Sequence, residues 1–201
     1  MDRTGLINKV KTILDEYTPE GVGQPFDEYI GPLLDESAME LLLAGPLYLL
    51  TPVSITLTET TFANDRSFIP VPADYVRLYE IKYPLWKRSV REAYSRESER
   101  YNVQENEYLK AGYGRPFVAL MTKTPSGGAL TRYLECGKVL ANAVPDVALY
   151  VQKTKAENLA DAFTDTLCWR CAAKVLITMG MADRAKIVLE QASQHLALIT
   201  K

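Results

Sequence analysis

Apolar residues fall on helical stripes at the two ends of the chain and alternate with polar residues in the middle. Leu6, Ile7, Val10, Ile13, Leu14 and Tyr17 recur at helical spacing, with Thr4 as a cap and Pro19 as a stop, which predicts an amphipathic helix over 4–17. A link rich in Pro and Gly over 18–25 leads to Ile30, Leu33, Leu34, Met39, Leu42 and Leu43, a second helix that Gly45-Pro46 ends. At Val53 the period changes to two. Val53, Ile55 and Leu57 alternate with Ser54, Thr56 and Thr58, so a strand over 53–62 is expected to turn at Asn64-Asp65 into another over 67–71. Pro70 and Pro72 hold the next stretch extended, and Asp74 is placed to cap a single helical turn before a strand over 76–83.

Further strands are predicted over 117–121 and 129–136, joined by a turn rich in Thr, Pro, Ser and Gly, and over 146–153 after Pro145. Leu159, Phe163, Leu167, Cys171 and Val175 then recur at every fourth position, predicting a helix over 156–179. Val188, Ala192, Leu196 and Ile199 mark another over 182–199, and Gly180 separates the two as an αα-hairpin. The expected fold is α+β: N- and C-terminal helices packed as a small bundle beside a central, mainly antiparallel β-sheet. We read 1–201 as a single domain in three segments, helical over 1–50, β-rich over 51–153 and a helical hairpin over 154–201.

A chain of 201 residues with 47% apolar content can bury one sizeable core. Twenty-three basic residues against twenty-five acidic ones give no global pull toward phosphate backbones or anionic lipid, so protein partners are expected. Gly45 and Pro46 interrupt the longest apolar run, 41–50, so no membrane span and a soluble protein are expected. The opening MDRTGLINKVK lacks an apolar signal core, and three cysteines make no closed disulfide set; folding in a reducing cytoplasm is the expectation.

Cys168-Trp169-Arg170-Cys171 is the one match to a reactive motif. Redox chemistry needs a CxxC at a helix N-terminus, where the thiolate is favoured, whereas this one is predicted to lie mid-helix as packing. Cys136 and His195 would complete a Cys₃His set for zinc, but the spacing is irregular and no second CxxC supports it. A single histidine on the last predicted helix is a poor base for a Ser-His-Asp triad. The pairs Asp15-Glu16, Asp27-Glu28 and Asp35-Glu36 read as solvated helix faces, and the Gly-rich stretches 110–114 and 126–128 lack phosphate-binding patterns and read as turns. No enzyme activity, cofactor or metal is expected. Lys87, Arg88, Arg91, Arg96 and Arg100, interleaved with Tyr94 and Tyr101, are the strongest nucleic-acid feature, but Glu92, Glu97 and Glu99 alternate the sign and suit pairing between protein surfaces better. Trp86 fits either the core or an interface anchor.

Two longer stretches share a layout. One runs Pro72, Asp74, Tyr75, Arg77, Leu78, then Trp86 and Arg88, then Tyr101 and Gln104, then Gly114 and Pro116 before a strand. The other is FDEYIGPLLDESAMELLLAGPLYLL over 26–50, with Ser37-Ala38 where small residues are expected. Together they cover about a third of the chain, and in them the sequence resembles the head-to-tail connector, or adaptor, proteins of tailed bacteriophages. The resemblance implies a structural virion protein at the head-tail junction, made in the host cytoplasm. It implies a homo-oligomeric ring of about twelve copies, closed by heterologous contacts. The ring would join the portal protein to downstream tail or ring proteins, with genomic DNA passing through its lumen without sequence readout. It also implies that 182–201 docks on the portal. The candidate interface residues are therefore Trp86, Lys87, Arg88, Arg91, Arg96, Arg100 and Tyr101 in the middle of the chain, and His195, Leu196 and Ile199 near its end. A tail-completion or neck protein is the nearest rival, and a small DNA-binding accessory protein using Lys87 to Arg100 is the rival from another class.

Overall fold

The computed structural model describes residues 1–19, 27–106, 108–123 and 130–200. Most of the 18–25 link, the turn between the predicted strands 117–121 and 129–136, the Gly-rich stretch 126–128 and Lys201 lie outside the described residues. Five helices are described: α1 (Arg3–Tyr17), α2 (Asp27–Ala44), α3 (Glu99–Asn102), α4 (Thr164–Thr178) and α5 (Ala182–Ile199). The described strands are β1 (Pro52–Ser54), β2 (Thr61–Ala63), β3 (Arg66–Pro70), β4 (Tyr75–Lys82), β5 (Tyr94–Ser95), β6 (Phe117–Lys123), β7 (Thr131–Gly137) and β8 (Val147–Gln152). The fold is α+β, with helices from both ends of the chain packed together and a mainly antiparallel middle. None of the described helices is long and apolar enough to cross a membrane. Where one domain in three segments is expected, the chain divides into two compact units, Met1–Thr51 with Lys153–Lys201 and Pro52–Gln152.

In the helical unit α4 is the hub, packed against α1, α2 and α5. Leu6, Val10, Ile13 and Leu14 of α1 and Ile30, Leu34, Ala38 and Leu41 of α2 are buried, as the 3.6-residue period requires. The small residues Ser37, Ala38, Cys168, Cys171 and Ala172 are fully buried, which lets helix axes approach closely. Asp2, not Thr4, caps α1: its Oδ1 accepts the Gly5 N–H at 2.9 Å. The residue after α2 is Gly45, where a Cβ would lie 2.5 Å from the Leu41 carbonyl oxygen and 3.1 Å from the Phe163 ring, so the position takes glycine.

The helix expected over 156–179 begins only at Thr164. Leu159 and Ala160 take extended backbone angles, and 3₁₀ turns at Ala156–Asn158 and Asp161–Phe163 replace the first turns. The reason is a polar staple. Arg3 donates to the Gly31 carbonyl at 2.9 Å, to both Asp35 oxygens at 3.0 and 3.2 Å and to Glu157 at 3.2 Å, while the Ala156 N–H donates to Asp35 at 3.2 Å. Residues 156 and 157 are thus tied to α1 and α2. The hydrogen bonds from Arg3 hold the Asp35 carboxyl below its ordinary range, against the opposing effect of burial. At the other end of α4, Gly180 adopts φ 77°, its N–H donates to Ile177 and the Met181 N–H to Leu176: a complete Schellman motif that turns the chain into α5.

Among the described residues the second unit holds two sheets, ordered β1-β8-β4 and β2-β3-β7-β6-β5, in which only the β5–β6 pair is parallel. The strand expected over 53–62 is two strands in different sheets, because the Thr60 N–H closes a turn onto the Leu57 carbonyl and turns the chain away from β8. β2 and β3 form the expected hairpin, with Asn64 and Asp65 both left-handed at φ 50° and 61°, the geometry of a type I′ turn. Asp74 caps no helical turn; its carboxylate accepts from Tyr150 at 3.1 Å and from the Gln152 amide, tying the start of β4 to β8. β4 buries Tyr75, Leu78 and Ile81, a period of three produced by two register shifts against β8. These residues form one core with Ile69, Tyr83, Trp86, Val118, Leu134 and Tyr150, inside which Ser67 and Tyr83 share a 2.7 Å hydrogen bond.

Two substitutions test this account of the helical unit. Gly180→Ala places a Cβ in the left-handed region and should lower stability by about 1 kcal/mol in urea unfolding followed by circular dichroism. Asp35 has a depressed folded pKa, so its contribution is present above the unfolded value of about 3.9 and is lost as pH falls through the lower folded value. Asp35→Asn should therefore lower the urea midpoint at pH 7, and the deficit should shrink toward pH 3; an unchanged gap would refute the staple.

Candidate functional site

Cys168 and Cys171 are buried in the interior turns of α4, their thiols directed at the carbonyls of Leu6 (3.9 Å) and Ile30 (3.8 Å). Burial pushes the Cys168 thiol up to about 12 and raises that of Cys171 as well. Cys136, in β7 of the other unit, is likewise buried and pushed up to about 12. His195 stacks on Trp169 at 5.9 Å, and Trp169 meets Tyr17 edge-on at 5.9 Å. Among the described residues, no group of three or more His, Cys, Asp or Glu side chains is arranged to hold a metal ion.

The basic-aromatic segment divides into core and surface. Trp86, a candidate interface residue, is 3% exposed: its ring packs on Tyr83 at 5.2 Å and its Nε1–H donates to the Lys138 carbonyl at 2.9 Å. A left-handed Leu85 (φ 63°) aims it inward, so within this chain it anchors the core and presents no surface. Lys87, Arg88, Arg91, Arg96 and Arg100 are all exposed. Arg91 pairs with Glu80 at 3.3 Å, while Arg100 donates to the Tyr94 hydroxyl and lies over its ring, 4.9 Å from the centroid. Tyr94 and Tyr101 are not a free aromatic pair, since both pack on Phe117, at 5.5 and 5.9 Å. Leu196 and Ile199 are partly buried on α5 in the helical unit, and the exposed Tyr48 donates to the Ile199 carbonyl at 2.7 Å.

A cleft in the sheet unit escapes the sequence reading. It encloses about 530 Å³ and is lined by the β2–β3 turn, β3, the end of β7, Phe117 and the residues Gln104, Lys110 and Ala111. Glu135 lies at its base, 2% exposed, accepting from Arg66 on one oxygen and from the Tyr101 hydroxyl at 2.9 Å on the other. The Arg66 bond follows from sheet register: β3 and β7 pair Phe68 with Glu135, which leaves Arg66 two residues along β3 and within reach of the carboxylate. Burial and the Glu135 carboxylate raise the Tyr101 pKa. On the rim Lys138 pairs with Asp65 at 2.8 Å, and together with Lys110 it holds the Asp65 carboxyl below its ordinary range. Gly137 is needed here because a Cβ would come within 2.9 Å of the Ala111 Cβ, forcing Ala111 away from β7. The one sequence signal for this site is a lone charge, Glu135, within the otherwise apolar stretch around Leu134 and Cys136.

No protein-family model matches the chain, and no curated protein matches it significantly.

Thiol reactivity checks the burial of the cysteines. With a pKa near 12 the thiolate fraction at pH 8 is about one in ten thousand. The native protein should not react with an aromatic disulfide reagent over minutes, whereas three thiols should titrate at once in denaturant. Fast reaction of one native thiol would restore a redox reading of the CxxC.

Proposed function

We propose that this chain is a structural virion protein: a subunit of an oligomeric ring that joins the portal to the tail of a tailed bacteriophage and continues the DNA channel. The reading starts from the resemblance of the stretches 26–50 and 72–116 to connector proteins. One structural observation supports it, the set of large apolar residues left on the outside of the helical unit. Tyr48 is 64% exposed, Leu198 66% and Ile187 50%, and Leu43, Ile177 and Leu189 are exposed as well. Exposed apolar surface of this kind suits contact with another protein. Several of these residues lie on or beside α5, within the stretch 182–201 that the resemblance assigns to portal docking. A ring needs two different faces per subunit, and a chain of two compact units, one helical and one sheet-rich, has different surfaces to offer.

The rival reading, a DNA-binding accessory protein, has less support. Its cations are exposed, but two of them are engaged by Glu80 and Tyr94, and the rings of Tyr94 and Tyr101 are packed on Phe117 where bases would have to stack.

Native mass spectrometry with negative-stain imaging, on the purified protein alone and mixed with portal particles, decides between them. A closed ring or a collar on the portal is the expected result. A monomer that ignores portal and shifts duplex DNA in a salt-dependent way would replace the connector reading with the DNA-binding one.

A further inference from the structure

We infer that the cleft beneath the β2–β3 turn is a binding site for a short acidic segment of a protein chain, one that presents a carboxylate beside an apolar side chain. The inference stands whether or not the chain assembles as a ring. The volume of about 530 Å³ falls within the range of small-ligand pockets and holds a few residues of extended chain. Among the described residues its lining includes three cations, Arg66, Lys110 and Lys138, against two carboxylates, Asp65 and Glu135, so among these one positive charge is in excess. That balance sets the class of ligand. A polyanion such as a nucleic-acid backbone would bring charge after charge against the buried Glu135 and the rim Asp65, whereas a single carboxylate meets one surplus cation.

Arg66 and Lys138 are held before any ligand arrives, and the backbone that carries Lys110 is fixed. Arg66 uses Nη1 on Glu135, and its side chain is still 36% exposed, so guanidinium N–H groups remain for a second carboxylate. Lys138 is held in the left-handed region at φ 56°, its carbonyl bonded by Trp86 and its ammonium by Asp65. The Val139 N–H donates to the Asp65 carbonyl at 2.8 Å and locks the turn to the strand. Lys110 is placed by its own N–H on Asn106 at 2.9 Å and by the neighbouring Ala111 N–H, which donates to Gln104 at 2.7 Å. Phe68, half-buried, also lines the cleft and gives an apolar neighbour of the carboxylate a surface to cover. Preset donors around an apolar wall lower the ordering cost of binding.

The test uses the full chain, isotope-labelled for amide NMR and titrated with the peptide acetyl-Leu-Glu-Leu-amide. Its neutral twin, acetyl-Leu-Gln-Leu-amide, and inorganic phosphate are titrated separately. The acidic peptide should shift the amides of Asn64, Gly137 and Lys138 with a Kd of about 1 mM, and the neutral twin should bind at least about tenfold more weakly. Lys110→Glu, an exposed change that leaves the Arg66–Glu135 pair intact, should weaken the acidic peptide by a similar factor while signals elsewhere keep their positions. The inference fails if nothing shifts, if both peptides act alike, if Lys110→Glu has no effect, or if phosphate shifts these amides and the peptide does not.

Discussion

Antiparallel pairing of β1 with β8, with Pro52 opposite Val151, is the constraint on which the rest of the molecule depends. It brings the first and last residues of the sheet unit together, so the chain leaves the helical unit and returns to it at neighbouring points. Closing a flexible loop of about a hundred residues would cost the helical unit roughly 4 kcal/mol in chain entropy. A folded insert with paired ends removes most of that cost in advance. The contacts that join the two halves of the helical unit are accordingly very distant in sequence: Arg3 with Glu157, Lys9 with Asp165, and Arg184 with the Tyr17 carbonyl.

Polar groups in this chain serve mainly to fix geometry. Arg3 and Asp35 set where the chain re-enters the helical unit, Lys174 bridges Glu36 and Glu40 between α4 and α2, and Glu135 draws Arg66 and Tyr101 over the end of the sheet. Near-neutral composition conceals this local order. The overall balance of charges gives no hint that one carboxylate is fully buried while cations line a cleft above it.

What could be read from the sequence was whatever depends on local period and turn chemistry. The stripe of Val188, Ala192, Leu196 and Ile199 defines α5 at its observed ends, and Asn64-Asp65 marks its turn because few residues tolerate two successive positive φ angles. The errors came from interactions with distant residues. An every-fourth-residue pattern through Leu159 and Phe163 looks helical, yet Asp35 takes the Ala156 N–H and two 3₁₀ turns with an extended step between them replace the α-helix while Phe163 stays buried. Alternation over 53–62 looks like one strand because a residue sequence does not say which sheet each half joins. Trp86 suits either core or interface by sequence, and the Lys138 carbonyl supplies the partner that places it in the core. The cleft was the least legible part, since its charges come from positions 65 to 138 and are brought together by strand register and by Gly137.

The two shifts of register in β4 have a consequence for how copies of this chain meet. β4 is an edge of its sheet and the longest strand among the described residues, and a flat edge of that length exposes backbone donors and acceptors to any passing strand. The bulges twist it out of line, and Val90 occupies backbone groups of Ile81. The other three edges, β1, β2 and β5, are two or three residues long. Newly made chains crowded together are thus denied an easy route to strand-on-strand aggregation, and association is left to side chains, where partner and register can be chosen.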